Sequence, residues 1–561
     1  MLKASGAVLA VRWAGRWAGR WAVPAGLGIC AAGLLLRVIG LDFGLPFIYD
    51  PDEPDFVGRA WQMVTTGDLN PHWFGHPGTT VMYAFAGVFK GYSALAFPDL
   101  AAAATAFLTE PSRFYLLARV VVVLLAFGTL VLTWQLARRV AGNGAALLAA
   151  ALLAVAPLQV QYSRLARPDL LMSFLLLASV LCALQIAREG RWRDYLAAGF
   201  LLGLAIATKY PAVIAAPAIV LAHALGQLDQ GRPVWARVER LFGAGGATVA
   251  GAFVGSPFMF VEWRLVLENV VKEARPYHLG GTSDGFLATL WWYLDGTLIA
   301  NLGVVGLLLA TLGALSALAR GFSREGRSGA NQAALLVLTF PLLFVPFIAS
   351  LSLRWDRWLL PALPFLCVLA ALGFRDVAVL LRYRVLAGVR AGVRAGVLAQ
   401  AVLVAVALLA ISLPAVDAVL WTRAVAQPDT RTLAYDWLLE NVPADSRVLV
   451  EAYSPQLPAD RFRLYVVNQG YIDRLEGGQR QYPVPTGIIG TLRNPSLVGQ
   501  ARIDYVLLAN HYDRRLAEPQ RYARQIAVYE ELMSTSELLY QAEPSRGHAA
   551  GLTVRVFKVR R

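Results

Sequence analysis

The sequence predicts a polytopic α-helical membrane protein that ends in a small α/β domain, and three observations lead there. Of its 561 residues 57% are hydrophobic and only 16% are charged, too apolar for a soluble protein of several domains. Apolar stretches of about 18 or more residues recur along most of the chain, close to the length a helix needs to cross a hydrocarbon core. The arginines cluster beside those stretches, so the net charge of +14 follows from positive-inside topology and calls for no nucleic-acid partner.

Length and flanking charge place each element. The run RWAGRWAGRWA sets Arg12, Arg16 and Arg20 beside Trp13, Trp17 and Trp21, the pattern of an interfacial helix on the cytoplasmic side. A first span over 22–41 then delivers a long outer loop. Arg138 and Arg139 mark the next inner boundary, which makes 114–136 an inward span. The apolar helix at 79–97 is therefore assigned a juxtamembrane or re-entrant position, because another crossing would carry those arginines outside. The alternation continues with 145–160, 170–187, 196–208, 212–228 and 241–261, whose inner ends carry Arg188, Arg191, Arg193, Arg232, Arg237 and Arg240. A second outer loop covers about 262–295, and 298–318 returns to Arg320, Arg324 and Arg327. Spans at 333–351, 359–381 and 398–419 follow, with the repeat GVRAGVRAGV and its Arg390 and Arg394 inside.

The result is about eleven spans, a cytoplasmic N-terminus and an extracytoplasmic tail. The membrane domain takes residues 1–421, with a catalytic outer loop at about 42–112, and the tail takes 422–561. That tail alternates a helical TLAYDWLLENV, strand-like RVLVEAY and IDYVLLA, a polar helix near Tyr522 to Met533, and closing strands near Leu538 and Val554. The three cysteines, Cys30, Cys182 and Cys367, are far apart in apolar stretches and suggest neither a disulfide framework nor a thiolate metal site.

The chemistry-bearing residues gather on the outer side. The first loop crowds Asp50, Asp52, Glu53 and Asp55 into six residues, and such crowding raises carboxylate pKa values unless a cation balances it. The bland reading is a solvated loop whose carboxylates open a helix. Asp169 falls at the mouth of a span on the same side, beside Arg164 and Arg167; as structure alone it is a helix N-terminus after Pro168. Arg37, Lys209, Arg354, Arg357 and His278 form the basic complement, each of which singly reads as a snorkelling side chain. Asp50-Pro51-Asp52 also fits a D-x-D metal pattern, and oxygen ligands suit magnesium or manganese, so a divalent metal is possible and no other cofactor is implied.

Asp52-Glu53 before an amphipathic helix, then Gly67-Asp68 and His76-Pro77 before an apolar helix, resembles the first loop of the GT-C glycosyltransferases that use polyprenyl-phosphate sugars. Protein O-mannosyltransferases and lipid A aminoarabinose transferases are among them. The segment Arg167-Pro168-Asp169, the GLAIATK ending at Lys209 and RWLLPALPFL near Arg357 continue the resemblance in order, over roughly the first 380 residues. It implies a GT-C-like fold at the inner membrane and transfer of a sugar from a polyprenyl-phosphate donor to a lipid, glycan or protein acceptor. It also implies that Asp52 is the catalytic carboxylate, with Glu53 beside it and Asp169 assisting. Lys209 with an arginine would hold the carrier phosphate, and His76, His278, Arg354 and Arg357 would complete the binding set. His76 stands where the aminoarabinose enzymes carry a lysine before proline, which opens the question of the donor. A base for the acceptor hydroxyl and cations for the phosphate are also what this chemistry needs on general grounds. A multi-span transporter or lipid flippase is the alternative; it would place ionisable groups or broken helices near the bilayer midplane, often in repeated halves.

Overall fold

The computed structural model describes residues 22–75, 77–321, 329–387, 393–451, 453–466, 487–488 and 496–560. The N-terminal Arg/Trp run, the first half of the GVRAGVRAGV repeat and His76 lie outside them.

Helix α1 (Ala22–Val38) leads into the acidic loop and α2 (Glu53–Thr66). Two more helices, α3 (Thr79–Ala96) and α4 (Leu100–Thr109), precede the long α5 (Ser112–Ala141). The chain returns through α6 (Asn143–Val155) and α7 (Pro157–Tyr162). It then forms a hairpin of α8 (Asp169–Arg188) and α9 (Trp192–Thr208). Next come α10 (Ala216–Asp229), α11 (Glu239–Gly255) and the short α12 (Phe258–Val261) and α13 (Trp263–Glu273). Helix α14 (Phe286–Trp291) passes through a π-helical stretch, Trp292–Leu298, into α15 (Ile299–Gly321). The bundle closes with α16 (Gly329–Ala349), α17 (Leu363–Ala387) and α18 (Val393–Val425).

Among the described residues seven helices are long and apolar enough to cross a membrane. The expected eleven spans would require four shorter passes, α1, α6 with α7, α9 and α11, to cross as well. Helix α9 packs along α11 through glycine: a Cβ on Gly199 would lie 2.1 Å from the Ala244 carbonyl oxygen, so only glycine permits that approach. Pro157 ends α6 and leaves its last carbonyls without amide donors. The buried Arg37 answers them, donating to the carbonyls of Leu153 and Ala154 at 3.0 Å each. Arg164 does the same for the end of α1, donating to the carbonyls of Leu36 and Ile39. These two arginines join helix ends and are not exposed complements to the acidic loop.

The position of α3 follows from its ends. The Gly78 amide donates to the Thr208 carbonyl at the end of α9, while Phe97 stacks on Phe114 at the start of α5. Both lie at the same end of the bundle, so α3 runs along that end and does not traverse it.

The tail opens with α19 (Thr430–Asn441) and builds one six-stranded sheet. Its strands are β1 (Arg447–Val450), β2 (Arg463–Val466), β3 (Gly487–Ile488), β4 (Tyr505–Ala509), β5 (Ser536–Ala542) and β6 (Val554–Val559), in the order β3-β2-β1-β4-β6-β5. The first four neighbours are parallel, and β6 runs antiparallel to both β4 and β5. All five residues of β4 are buried, as a strand covered on both faces requires. One apolar cluster includes Leu438 and Leu507 and the other Val506 and Tyr529, so each face has its own core. The tail rests on the acidic loop: Arg431 stacks 3.8 Å over the Tyr49 ring, and Gln456 donates to the Phe47 carbonyl at 2.7 Å.

Candidate active site

The acidic loop divides its carboxylates between different tasks, because consecutive residues entering a helix point about 100° apart. Asp50 opens α2: its Oδ1 accepts from the amides of Asp52 and Glu53 at 3.0 and 3.1 Å. The same carboxylate takes a bidentate pair from Arg167, whose Nη2 lies 2.8 Å from each oxygen. Burial, with Asp52 and Glu53 close by, lifts the Asp50 carboxyl's pKa above its ordinary value, and the Arg167 guanidinium offsets part of that rise. Burial likewise works against the Arg167 charge, but Asp50 and then Asp52 outweigh it and raise its pKa.

Asp52 shares that guanidinium, with Oδ2 2.9 Å from Arg167 Nη2 and 3.7 Å from Arg357 Nη2. Its side chain is 30% exposed, against 13% for Asp50 and 0% for Glu53, so it is the most solvent-accessible of the three. Glu53 turns into the bundle. It receives Arg119 Nε at 2.8 Å and Nη2 at 2.7 Å, and the Ala166 amide at 2.7 Å. The remaining nitrogen of Arg119 donates to the carbonyls of Leu41 and Phe43 at 2.9 and 2.7 Å. Glu53, expected among the catalytic carboxylates, thus sits where it ties α2, α5 and the segment before α8 together and touches no solvent.

Asp169 begins α8 at the same end of the bundle and is 5% exposed, with Lys209 Nζ 2.6 Å from its Oδ1. Lys209 follows the end of α9 and is 17% exposed. Arg357 acts electrostatically on Asp169 as well as contacting Asp52, so Asp50, Asp52 and Asp169 belong to one network with Arg167, Arg357 and Lys209. Tyr162 and Asp356 support it from the side: the Tyr162 ring lies under Arg167, and Asp356 accepts from the Arg357 amide at 2.6 Å.

The other basic residues split. Arg357 stacks over Trp355 at 5.0 Å, and His278 meets the same indole edge-on at 5.1 Å, so His278 adjoins the network through that ring. Burial, and after it Arg275, Arg514 and Arg357, holds the His278 pKa below its ordinary value despite a hydrogen bond to the Leu279 carbonyl. Arg354 turns away to Asp284 at 3.0 Å and to the Trp292 face, bracing the second outer loop. Sequence reasoning missed Arg119, although an arginine inside an apolar stretch is itself a signal of a buried partner. It also missed Asp50 as the residue that fixes Arg167.

The D-x-D pair poorly suits a divalent metal here. Arg167 Nη2 reaches Asp50 and Asp52 at 2.8 and 2.9 Å, so a fixed guanidinium already takes the place between them. Among the described residues no group of three or more His, Cys, Asp or Glu side chains is arranged to hold a metal ion.

The fold has counterparts among solved structures. Two solved structures share it: the apo oligosaccharyltransferase of Archaeoglobus fulgidus, with TM-score 0.52 and 12% identity over 94% of this chain and 74% of that one, and apo ArnT from Cupriavidus metallidurans, with TM-score 0.50 and 15% identity over 96% of this chain and 98% of that one. The family described as dolichyl-phosphate-mannose-protein mannosyltransferase matches residues 100–236, which include Arg119, Arg167, Asp169 and Lys209. A search of curated proteins by sequence gives no significant match.

Proposed function

We propose that the protein is a membrane glycosyltransferase that moves a sugar from a polyprenyl-phosphate carrier to an acceptor hydroxyl. The observation that carries this reading is the mixed-charge network: a partly exposed carboxylate, Asp52, beside Arg357 and in electrical contact with the Lys209–Asp169 pair. Asp52 serves as the base. The acceptor oxygen attacks the anomeric carbon, the bond from that carbon to the phosphate oxygen breaks, and the acceptor proton passes to Asp52. Lys209 and Arg357 steady the phosphate as it leaves with both bonding electrons, a point charge and a planar donor acting together. Asp50 and Glu53 are positioning residues: the first orients Arg167, the second locks Arg119 and the segment before Asp169.

The description of the partly matching family, which names a dolichyl-phosphate sugar, supports a lipid-phosphate donor. Charge supports the orientation. Arg138, Arg139, Arg188, Arg191, Arg193, Arg240 and Arg320 fringe the end opposite the site, which the positive-inside rule makes cytoplasmic. The site and the tail then face outward, away from nucleotide sugars.

The test is a transfer assay with purified protein in vesicles, a radiolabelled polyprenyl-phosphate sugar and an envelope extract as acceptor. Label should move from the lipid to the acceptor and leave polyprenyl phosphate behind. Protein-dependent movement of intact labelled lipid between leaflets, with no transfer, would replace this reading with a flippase.

A further inference from the structure

Helix α13 is amphipathic, and its two sides meet different surroundings. Asn269 accepts from the Phe74 amide at 3.0 Å, and Glu262, just before the helix, accepts from Asn70 Nδ2 at 2.7 Å. This side rests on the first outer loop. The other side is left open among the described residues: Trp263, Leu267 and Val271, spaced four apart, are 54%, 56% and 73% exposed. The stripe continues backward through exposed Phe260 and Val261 to Val254, Phe253 and Val249, the outward row of α11, whose opposite side packs on α9. In a membrane protein that outward row faces lipid. Eleven residues of helix span only about 16 Å, too short to cross a bilayer. Arg264, Glu268 and Lys272 occupy a third, exposed strip beside the apolar one, where a helix lying in the interface keeps its charges.

The geometry points to α13 as an interfacial helix whose Trp263–Leu267–Val271 stripe is seated in the headgroup and acyl boundary of the leaflet at the site end. Its partner is the lipid surface itself. Continuity with the lipid-facing row of α11 favours this occupant over a second protein. The seat has a consequence that rests on the proposed function: Phe74, held by Asn269 through its amide, accepts from Tyr210 through its carbonyl at 3.1 Å, and Tyr210 follows Lys209. Lipid packing under α13 is thereby connected to the segment that carries the phosphate-binding lysine.

The test uses the full chain in phosphatidylcholine vesicles, with Cys30, Cys182 and Cys367 replaced and a nitroxide attached through Leu267→Cys or, separately, Glu268→Cys. Oxygen, which concentrates in lipid, should relax the label at 267 more than a water-soluble nickel chelate does, and the order should reverse at 268. Equal access of the chelate to both positions would overturn the seat. Protection of 267 from both reagents would also overturn it, since the stripe would then be covered by protein. Both positions are exposed, so neither label disturbs packing. The readout is independent of sugar transfer, so a failed transfer assay leaves this result standing.

Discussion

The two ends of the helix bundle use charge in opposite ways. At the far end the pairs of Arg191 with Glu189 and of Arg320 with Asp376 sit near water and leave 52% and 44% of the arginine side chains accessible. At the site end Arg119, Arg167 and Arg357 are 1%, 6% and 18% exposed and converge with carboxylates. Exposed pairs contribute about 0–1 kcal/mol, whereas leaving one member of a buried pair alone costs about 3–5 kcal/mol. Charge at the far end therefore orients and solvates the bundle, and charge at the site end fixes geometry.

Breaking the most buried pair should have the largest effect. Arg119→Met strands Glu53 with a single amide donor and should lower stability by about 3–5 kcal/mol, read as a sharp fall in thermal midpoint in detergent. The double change Arg119→Met with Glu53→Met should recover at least half of that loss. A double variant no better than the single one would mean that the ion pair itself, and not relief of a buried charge, holds the loop.

A smaller effect belongs to the network's outer edge. Lys209→Ala should weaken donor binding by about 1.5–3 kcal/mol, the usual contribution of a hydrogen bond to a charged group, with a smaller fall in thermal midpoint than Arg119→Met because Lys209 is the more exposed member of its pair with Asp169. Equal donor affinity in variant and parent would remove Lys209 from the phosphate site. The smallest effect is expected at the far end. Arg188→Gln and Arg191→Gln should each leave transfer within about twofold and stability within about 0.5 kcal/mol, as ordinary surface changes do. A large loss from either would break the contrast between the two ends.

Much of this arrangement was legible in the sequence because membrane boundaries are written in length and arginine. The rule that set Arg138 and Arg139 on one side predicted that 79–97 does not cross, and both ends of α3 do meet the site end. Strand-like RVLVEAY and IDYVLLA became β1 and β4, since apolar runs of that length with branched residues fit a buried sheet. Asp52, Asp169, Lys209 and Arg357 came together because each stands beside a span end. Individual side-chain direction was not legible. Asp50, Asp52 and Glu53 look alike in sequence, yet the start of α2 turns one to Arg167, one toward solvent and one into the bundle. Arg354 and Arg357 are three apart, the first before and the second within the 3-10 turn Asp356–Leu359, so spacing could not tell which faces the carboxylates.

The central claim is that Asp52 performs the chemistry and is not needed to bind the donor. One experiment separates the two: Asp52→Asn, nearly equal in size to the carboxylate, titrated with polyprenyl-phosphate sugar and then mixed with acceptor for a single turnover. The account predicts donor affinity within about threefold of the parent and a transfer rate lowered about a hundred- to ten-thousand-fold, the usual cost of losing a positioned base. A transfer rate within about tenfold of the parent would contradict it.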